Sequence, residues 1–380
     1  MEMSRPTVTW FTSNHEHRLH YLKLGLMRLA RRGEITFSEI PAHLGNLPSK
    51  VVHEHTQTHS ALLRVRWSTL EKLVALDGQD SIFQISPLIE SCDHYFVCAY
   101  YRKFFESAPF QMALPWQDES EVAYYKKLYG ELQEKYRSHF HKARPLVPIG
   151  PDMEFAVTND WLTQRLHNFR YRARKLFTRT LDWTPQHERF ERRWKQLLEL
   201  RESVPKYDAV LKDSLWGWPR HRIALHKKLA SLSANYQIRS ELNYRKPEYY
   251  ELGNQPPPDP LSFPMKVGGG VIGNYEQMLA SSRLGVFATG FHWGCRNIVT
   301  LTWFLGLPVY MDPPVFESIY DFQTFDTHYN RSGDWRELEE NLCKVSTNGK
   351  KSAKKEMQAT FDRIASPEAA ANHILSTVLG

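Results

Sequence analysis

The sequence predicts an α/β protein made of two Rossmann-like domains. Three observations lead there. The chain of 380 residues is long for one core and comfortable for two. Residues 7–40 read as strand, helix, strand, the way a Rossmann-like domain opens. Residues 275–312 read as helix, strand, glycine turn, helix, strand, and units of that kind bind ligands at the carboxyl ends of their strands. The expected boundaries are an N-terminal domain over 1–155, a basic helical connection over 156–205, a C-terminal domain over 206–350 and a last helix within 351–380.

The elements can be justified in order. Residues 7–11 (TVTWF) form a β-rich run, and Thr12, Ser13 and Asn14 supply helix caps. Leu19, Leu22, Leu26 and Leu29 then recur at helical spacing until Gly33, and residues 35–40 give a second strand. Residues 82–85 and 94–99 are the next strands expected, then an amphipathic helix over 119–141 and a strand over 146–149 closed by Gly150-Pro151. Residues 158–203 are helical, split near Pro185. A strand at 207–212 opens the second domain, with a helix over 223–232 and a short strand over 236–239. The stretch 255–264 holds five prolines in ten residues and is a loop, since proline fixes φ and removes a donor. Lys266 before Gly268-Gly269-Gly270 lacks the Walker spacing and reads as a connection. Residues 350–355 are a basic hinge and 355–379 a final helix.

Composition excludes several classes. With 42% hydrophobic and 24% charged residues the chain is neither disordered nor membrane-spanning, and no run approaches the about eighteen apolar residues of a span. The start, MEMSRPTVTWFTS, lacks the apolar core of a signal peptide, so a cytoplasmic protein is expected. Cys92, Cys98, Cys295 and Cys343 have no metal spacing and read as reduced thiols. The net charge of +7 is unevenly placed: between Arg165 and Lys195 lie ten Lys or Arg against Asp182, Glu188 and Glu191. There Arg170, Arg172, Arg174 and Lys175 alternate with Phe169, Tyr171, Leu176 and Phe177, a pattern suited to an anionic membrane surface or to nucleic acid, or else to a solvated helix face.

Four groups of residues are candidates for chemistry. His15, Glu16 and His17 come after the first strand, where His or Glu can act as general base; the plain alternative is a polar helix start with Glu16 set against the helix dipole. A metal site of His15, His17 and His20 is disfavoured, because their spacing does not converge as i, i+4 pairs do. Asp213, Trp216, Arg220 and Arg222 come after the first strand of the second domain, where a guanidinium fork suits phosphate oxygens, as against a surface loop with packed tryptophans. Gly290, His292 and Arg296 form a glycine turn that offers backbone, a helix amino end and a fixed cation, which suits a diphosphate. Asp312 and Glu317 come after the next strand and either accept sugar hydroxyls or cap a helix starting beyond Pro313-Pro314.

The stretch 278–322 carries a resemblance. Ser281-Ser282, Gly290, Arg296, Gly306-Leu307-Pro308-Val309 and Asp312 come in the order seen in the nucleotide-sugar half of exostosin-like bacterial glycosyltransferases. The likeness is close over roughly 45 residues and looser over about 140. It implies the GT-B architecture, two Rossmann-like domains facing a cleft. It also implies transfer of a sugar from a nucleotide-sugar donor to a saccharide or lipid-linked acceptor. The donor would be held by Arg220, Arg222, Gly290, His292, Arg296, Asp312 and Glu317, and the acceptor served by His15, Glu16 or His17, with Asp213 as the alternative in a retaining mechanism. Many such enzymes carry a Glu three or four residues after the turn's Arg to hold the ribose; Val299 and Thr300 stand there in this chain. No D-x-D motif occurs, which implies metal-independent transfer with no cofactor. The setting expected is polysaccharide biosynthesis on the inner face of a bacterial membrane, with no nucleic acid. The rival from another class is a nucleic-acid-binding protein using residues 165–195.

Overall fold

The computed structural model describes residues 5–13, 15–57, 59–154, 182–215, 217–244, 263–290, 292–348 and 351–380. Each half of the chain builds one six-stranded sheet. The first holds β1 (Thr7–Thr12), β2 (Thr36–Pro41), β3 (Ser60–Trp67), β4 (Leu70–Asp77), β5 (His94–Val97) and β6 (Ala143–Pro145), in the order β2-β1-β3-β4-β5-β6. The second holds β7 (Tyr207–Ser214), β8 (Ile238–Asn243), β9 (Lys266–Val267), β10 (Ser282–Phe287), β11 (Val309–Met311) and β12 (Thr327–Tyr329), in the order β12-β11-β10-β7-β8-β9. Apart from β3 and β9, the strands run parallel. Both sheets therefore present their carboxyl ends along one edge, and the two edges face a common cleft. These are two Rossmann-like domains facing a cleft.

The longer helices are α1 (His20–Arg31), α2 (Ser49–Gln57), α3 (Glu119–Tyr136), α4 (Thr184–Leu200), α5 (Pro219–Leu232), α6 (Tyr275–Ala280), α7 (Asn297–Leu305), α8 (Leu338–Asn348), α9 (Lys351–Ile364) and α10 (Pro367–Leu379). Helix α1 is buried almost all round, with Leu22, Leu24, Leu26 and Leu29 each at most 2% exposed, because it is covered twice. One face lies on the first sheet and the other on α10, which approaches so closely that a Cβ on Gly25 would sit 1.9 Å from the Pro367 carbonyl oxygen. Tyr21 donates to the Ala365 carbonyl at 2.6 Å, and Arg28 pairs with Glu191 of α4 and Glu368 of α10. The end of the chain is thus folded back onto the first domain.

Several expectations are corrected. Residues 82–85 are a loop rather than a strand, and 146–149 are irregular, the strand being β6 just before them. These runs are apolar because Ile82, Phe83, Leu146 and Val147 are buried under the carboxyl edge, where the domains meet. The β3–β4 hairpin, absent from the expectation, closes through Ser68-Thr69 with Ser68 at φ 54°. That pair lacks the Asn-Gly or Gly signal that makes such turns legible. The helix expected over 355–379 is broken at Ser366-Pro367, where the Ser366 hydroxyl accepts from the Ala369 amide at 3.2 Å and proline starts α10. Pro185 lies in the first turn of α4, which starts at Thr184, and the expected helical segment before 182 lies outside the described residues. Arg170, Arg172, Arg174, Lys175 and the proline-rich 255–262 lie outside the described residues. Of the basic run that is described, Arg193 is buried and turned inward, to Glu276 and the Asp152 carbonyl. Among the described residues no helix is long and apolar enough to cross a membrane.

Candidate functional site

In an open parallel sheet the loops diverge where the strand order reverses, and a crevice opens there. In the second domain that point lies between β7 and β10, which neighbour each other although β8 and β9 intervene in sequence. A cleft of about 290 Å³ occupies it. One wall comes from the second domain, through Asp213, Ser214, Arg222, Gly290, Arg296 and Asn297. The other comes from the first, through His17, Arg18, Asp80 and residues 149–152.

The second-domain wall is organised around one carboxylate. Asp213, at the end of β7, accepts from both terminal nitrogens of Arg296, at 2.8 and 2.9 Å, and from Arg222 at 2.8 Å. Burial alone would raise the Asp213 pKa, but the Arg222 and Arg296 charges outweigh it and hold the carboxylate below its usual range. A carboxylate so pinned is a poor proton acceptor. Two guanidiniums sharing one carboxylate leave one positive charge beside the amino end of α7, where Asn297 lines the cleft. Arg296 keeps its side chain 18% exposed and lines the cleft, so it is within reach of a ligand there. Cys295 also lines the cleft, with its thiol pushed up to about 12 by burial, which keeps it neutral.

The first-domain wall begins just after β1. Glu16 does not reach the cleft: its carboxylate is buried and accepts from the Trp10 indole at 2.9 Å, the Ser13 amide at 3.0 Å and Lys23 at 2.9 Å. Lys23 is also paired with Glu39, so a buried ion cluster anchors the loop from below. His17 opens a turn of 3-10 helix, lines the cleft, and meets the His59 ring edge-on at 5.2 Å. His15 also meets the His59 ring edge-on, at 5.5 Å, and that ring bonds the His15 carbonyl oxygen. Burial and the nearby Arg18 push His59 down to about 4, so it stays neutral at pH 7. Arg18 pairs with Asp80 at 2.7 Å.

The remaining candidates lie elsewhere. Arg220 is 76% exposed and pairs with Asp118, away from the cleft. His292 is buried with its Nδ1 2.7 Å from the Ser81 hydroxyl of the first domain. Asp312 is enclosed, tying together four elements: the Thr289 amide at 2.8 Å, Asn330 at 2.9 Å and His221 of α5 at 2.9 Å meet on it at the end of β11. Glu317 binds Arg102 at 2.9 Å, and its amide donates to the Tyr100 carbonyl at 2.6 Å, which fastens the domains at a second place. Gly290 lines the cleft and gives its carbonyl to the Trp218 indole at 2.8 Å. Trp216 lies outside the described residues.

Asp80, Asp152 and Asn297 also line the cleft, and no sequence motif singles them out. Asp80 comes after β4, whose end went unrecognised with its hairpin. That loop is anchored by Asp77, which is 1% exposed and accepts from the Gln79 and Ser86 amides and the Tyr95 hydroxyl. Burial pushes Asp77 up to about 6. A carboxyl whose folded pKa lies above its unfolded value of 3.8 stabilises the fold while protonated, and that contribution is lost as pH rises from about 4 through 6. The stability of Asp77→Asn relative to the unmodified chain should therefore rise over that window, by at most about 3 kcal/mol. Urea titrations at pH 4 and pH 7 check this, and an unchanged difference removes Asp77 as the titrating group.

No protein-family model matches the chain. No curated protein matches it either. Among solved structures, the spinosyn forosaminyltransferase SpnP is similar over 48% of this chain and 46% of its own, with 12% identity and a TM-score of 0.25. The match thus spans about half the length of each. The two Rossmann-like domains are established by the strand order itself.

Proposed function

We propose that this chain is a glycosyltransferase, moving a sugar from a nucleotide-sugar donor to a glycan or lipid-linked saccharide. The observation that carries the reading is the two-sided cleft. Arg296 and Arg222, fixed by Asp213 beside the amino end of α7, face His17 and Arg18 across the carboxyl edges of the sheets. The charge on the second-domain wall suits a diphosphate and would stabilise it as a leaving group. His17 would accept the proton of the acceptor hydroxyl as that oxygen attacks the anomeric carbon and the bond from the carbon to the diphosphate breaks. Arg18 and Asp80 offer donors and acceptors to sugar hydroxyls. The transfer proposed needs no metal, its charge stabilisation coming from guanidiniums and the helix end. The acceptor would be presented at the inner face of a membrane.

The test is a thermal-shift screen over UDP, GDP and CMP and their sugars. A ligand present at about one hundred times its Kd stabilises the protein by about 2.7 kcal/mol. At least one should raise the melting temperature, and the sugar donor should be consumed when a saccharide acceptor is added. Protection by none, with steeply salt-dependent oligonucleotide binding instead, overturns the reading.

A further inference from the structure

The turn that presents Arg296 is held in a conformation its residues disfavour. His292 and Trp293 are consecutive non-glycine residues in the left-handed region, at φ 51° and 60°. Such backbone persists only where its surroundings hold it. The holding contacts come from the other domain. Ser81, just after β4, forms an antiparallel bridge with Trp293, and its hydroxyl lies 2.7 Å from His292 Nδ1. Gly294 lies flat on the same segment, where a Cβ would stand 1.4 Å from the Asp80 carbonyl oxygen. The Trp293 ring is packed between Phe83 and Tyr125 of the first domain and Trp218 of the second, with centroids 4.7 to 5.6 Å away. Two residues after Gly294 comes Arg296. Asp80 meanwhile fixes Arg18 on the opposite wall.

We propose that Ser81 is a positioning residue: through His292 and Trp293 it latches the turn 290–296 of the second domain, so that the Arg296 fork is correctly placed only while the two domains are docked. One short segment, Asp80-Ser81, then sets both walls of the cleft. Linkage makes the effect reciprocal, so a ligand that needs the latched turn tightens the docking. The inference rests on the diphosphate reading for its functional consequence, and on the backbone geometry alone for the latch.

The test separates the two. In Ser81→Ala, amide hydrogen exchange over residues 288–297 should accelerate, while the unmodified chain keeps it slow. Affinity for whichever of UDP, GDP or CMP protects the unmodified protein should fall about ten-fold, the effect of one neutral hydrogen bond. Ser81→Thr, which restores the hydroxyl, should recover both. At saturating donor, turnover should change little, so the loss falls on KM. Gly294→Ala, which drives a methyl into the Asp80 carbonyl, should open the segment further; where that variant fails to fold, the Ser81 pair decides. Unchanged exchange in Ser81→Ala overturns the latch. Faster exchange with unchanged nucleotide affinity overturns its role in placing Arg296. If no nucleotide binds the unmodified protein, the diphosphate reading fails and the exchange result still decides the latch.

Discussion

Arg296→Ala should abolish measurable nucleoside diphosphate binding, a loss of a hundred-fold or more, and should also lower the stability of the unliganded chain. The two effects have different origins. Binding suffers because a charge-assisted hydrogen bond to a phosphate contributes on the order of 1.5–3 kcal/mol and a guanidinium fork makes two. Stability suffers because Asp213, with its side chain 2% exposed, loses its bidentate partner and keeps Arg222 alone. Removing one side of a buried ion pair costs about 3–5 kcal/mol, and the remaining Arg222 contact places the expected loss at the lower end. Arg296→Lys separates the terms. It keeps the charge near Asp213 and gives up the fork, so it should retain most of the stability and still bind the nucleotide about ten-fold more weakly. Calorimetric titration beside a urea melt reads both quantities. Normal affinity in either variant removes Arg296 from the site.

The parts of this arrangement that were legible in the sequence are those set by local pattern. The β1–α1–β2 opening showed in the apolar run at 7–11 and the leucine spacing to Leu29. The β10–α7–β11 unit showed in the apolar strands flanking a glycine turn. Arg296, Arg222 and Gly290, which line the cleft, can be singled out because each comes after a strand that periodicity reveals, and carboxyl ends of parallel strands are where ligands sit. The partners of these residues were not legible. Nothing in the spacing of Asp213, Arg222 and Arg296 says that one carboxylate holds both guanidiniums across 83 residues. Glu16 has the composition of a general base, and only the fold shows it spent on Trp10, Ser13 and Lys23. His292 looked like a ligand for phosphate and proves to be a bond between domains, because the turn that carries it docks on Ser81. Asp80 was hidden by a hairpin whose turn lacks glycine. Contacts between distant elements decide each of these cases, and periodicity carries no record of them.

His17→Ala should lower the rate of transfer by about 10²–10⁴-fold, the usual cost of removing a general base, with nucleotide affinity little altered. His17 is the one member of the trio His15, Glu16 and His17 that lines the cleft, and it faces the wall carrying Arg296. Its imidazole is set on a tight turn whose amide at Leu19 donates to the Glu16 carbonyl at 2.8 Å, so the loop arrives in a fixed position. The ring edge rests against His59, which stays neutral and so offers no competing charge. The neighbours make internal controls. His15→Ala removes a ring that does not line the cleft and should leave turnover within about two-fold, the scale of a surface substitution of up to about 0.5 kcal/mol. Glu16→Gln breaks the buried contact with Lys23 and should show itself in the melt, by roughly 3 kcal/mol, rather than in the chemical step. Single-turnover rates with the protecting nucleotide's sugar, measured beside its affinity, distinguish the three. A His17 variant that turns over normally moves the base to Asp80 or Asp152, the carboxylates that share its wall; Asp213 is no substitute, since both its oxygens are already held by arginine.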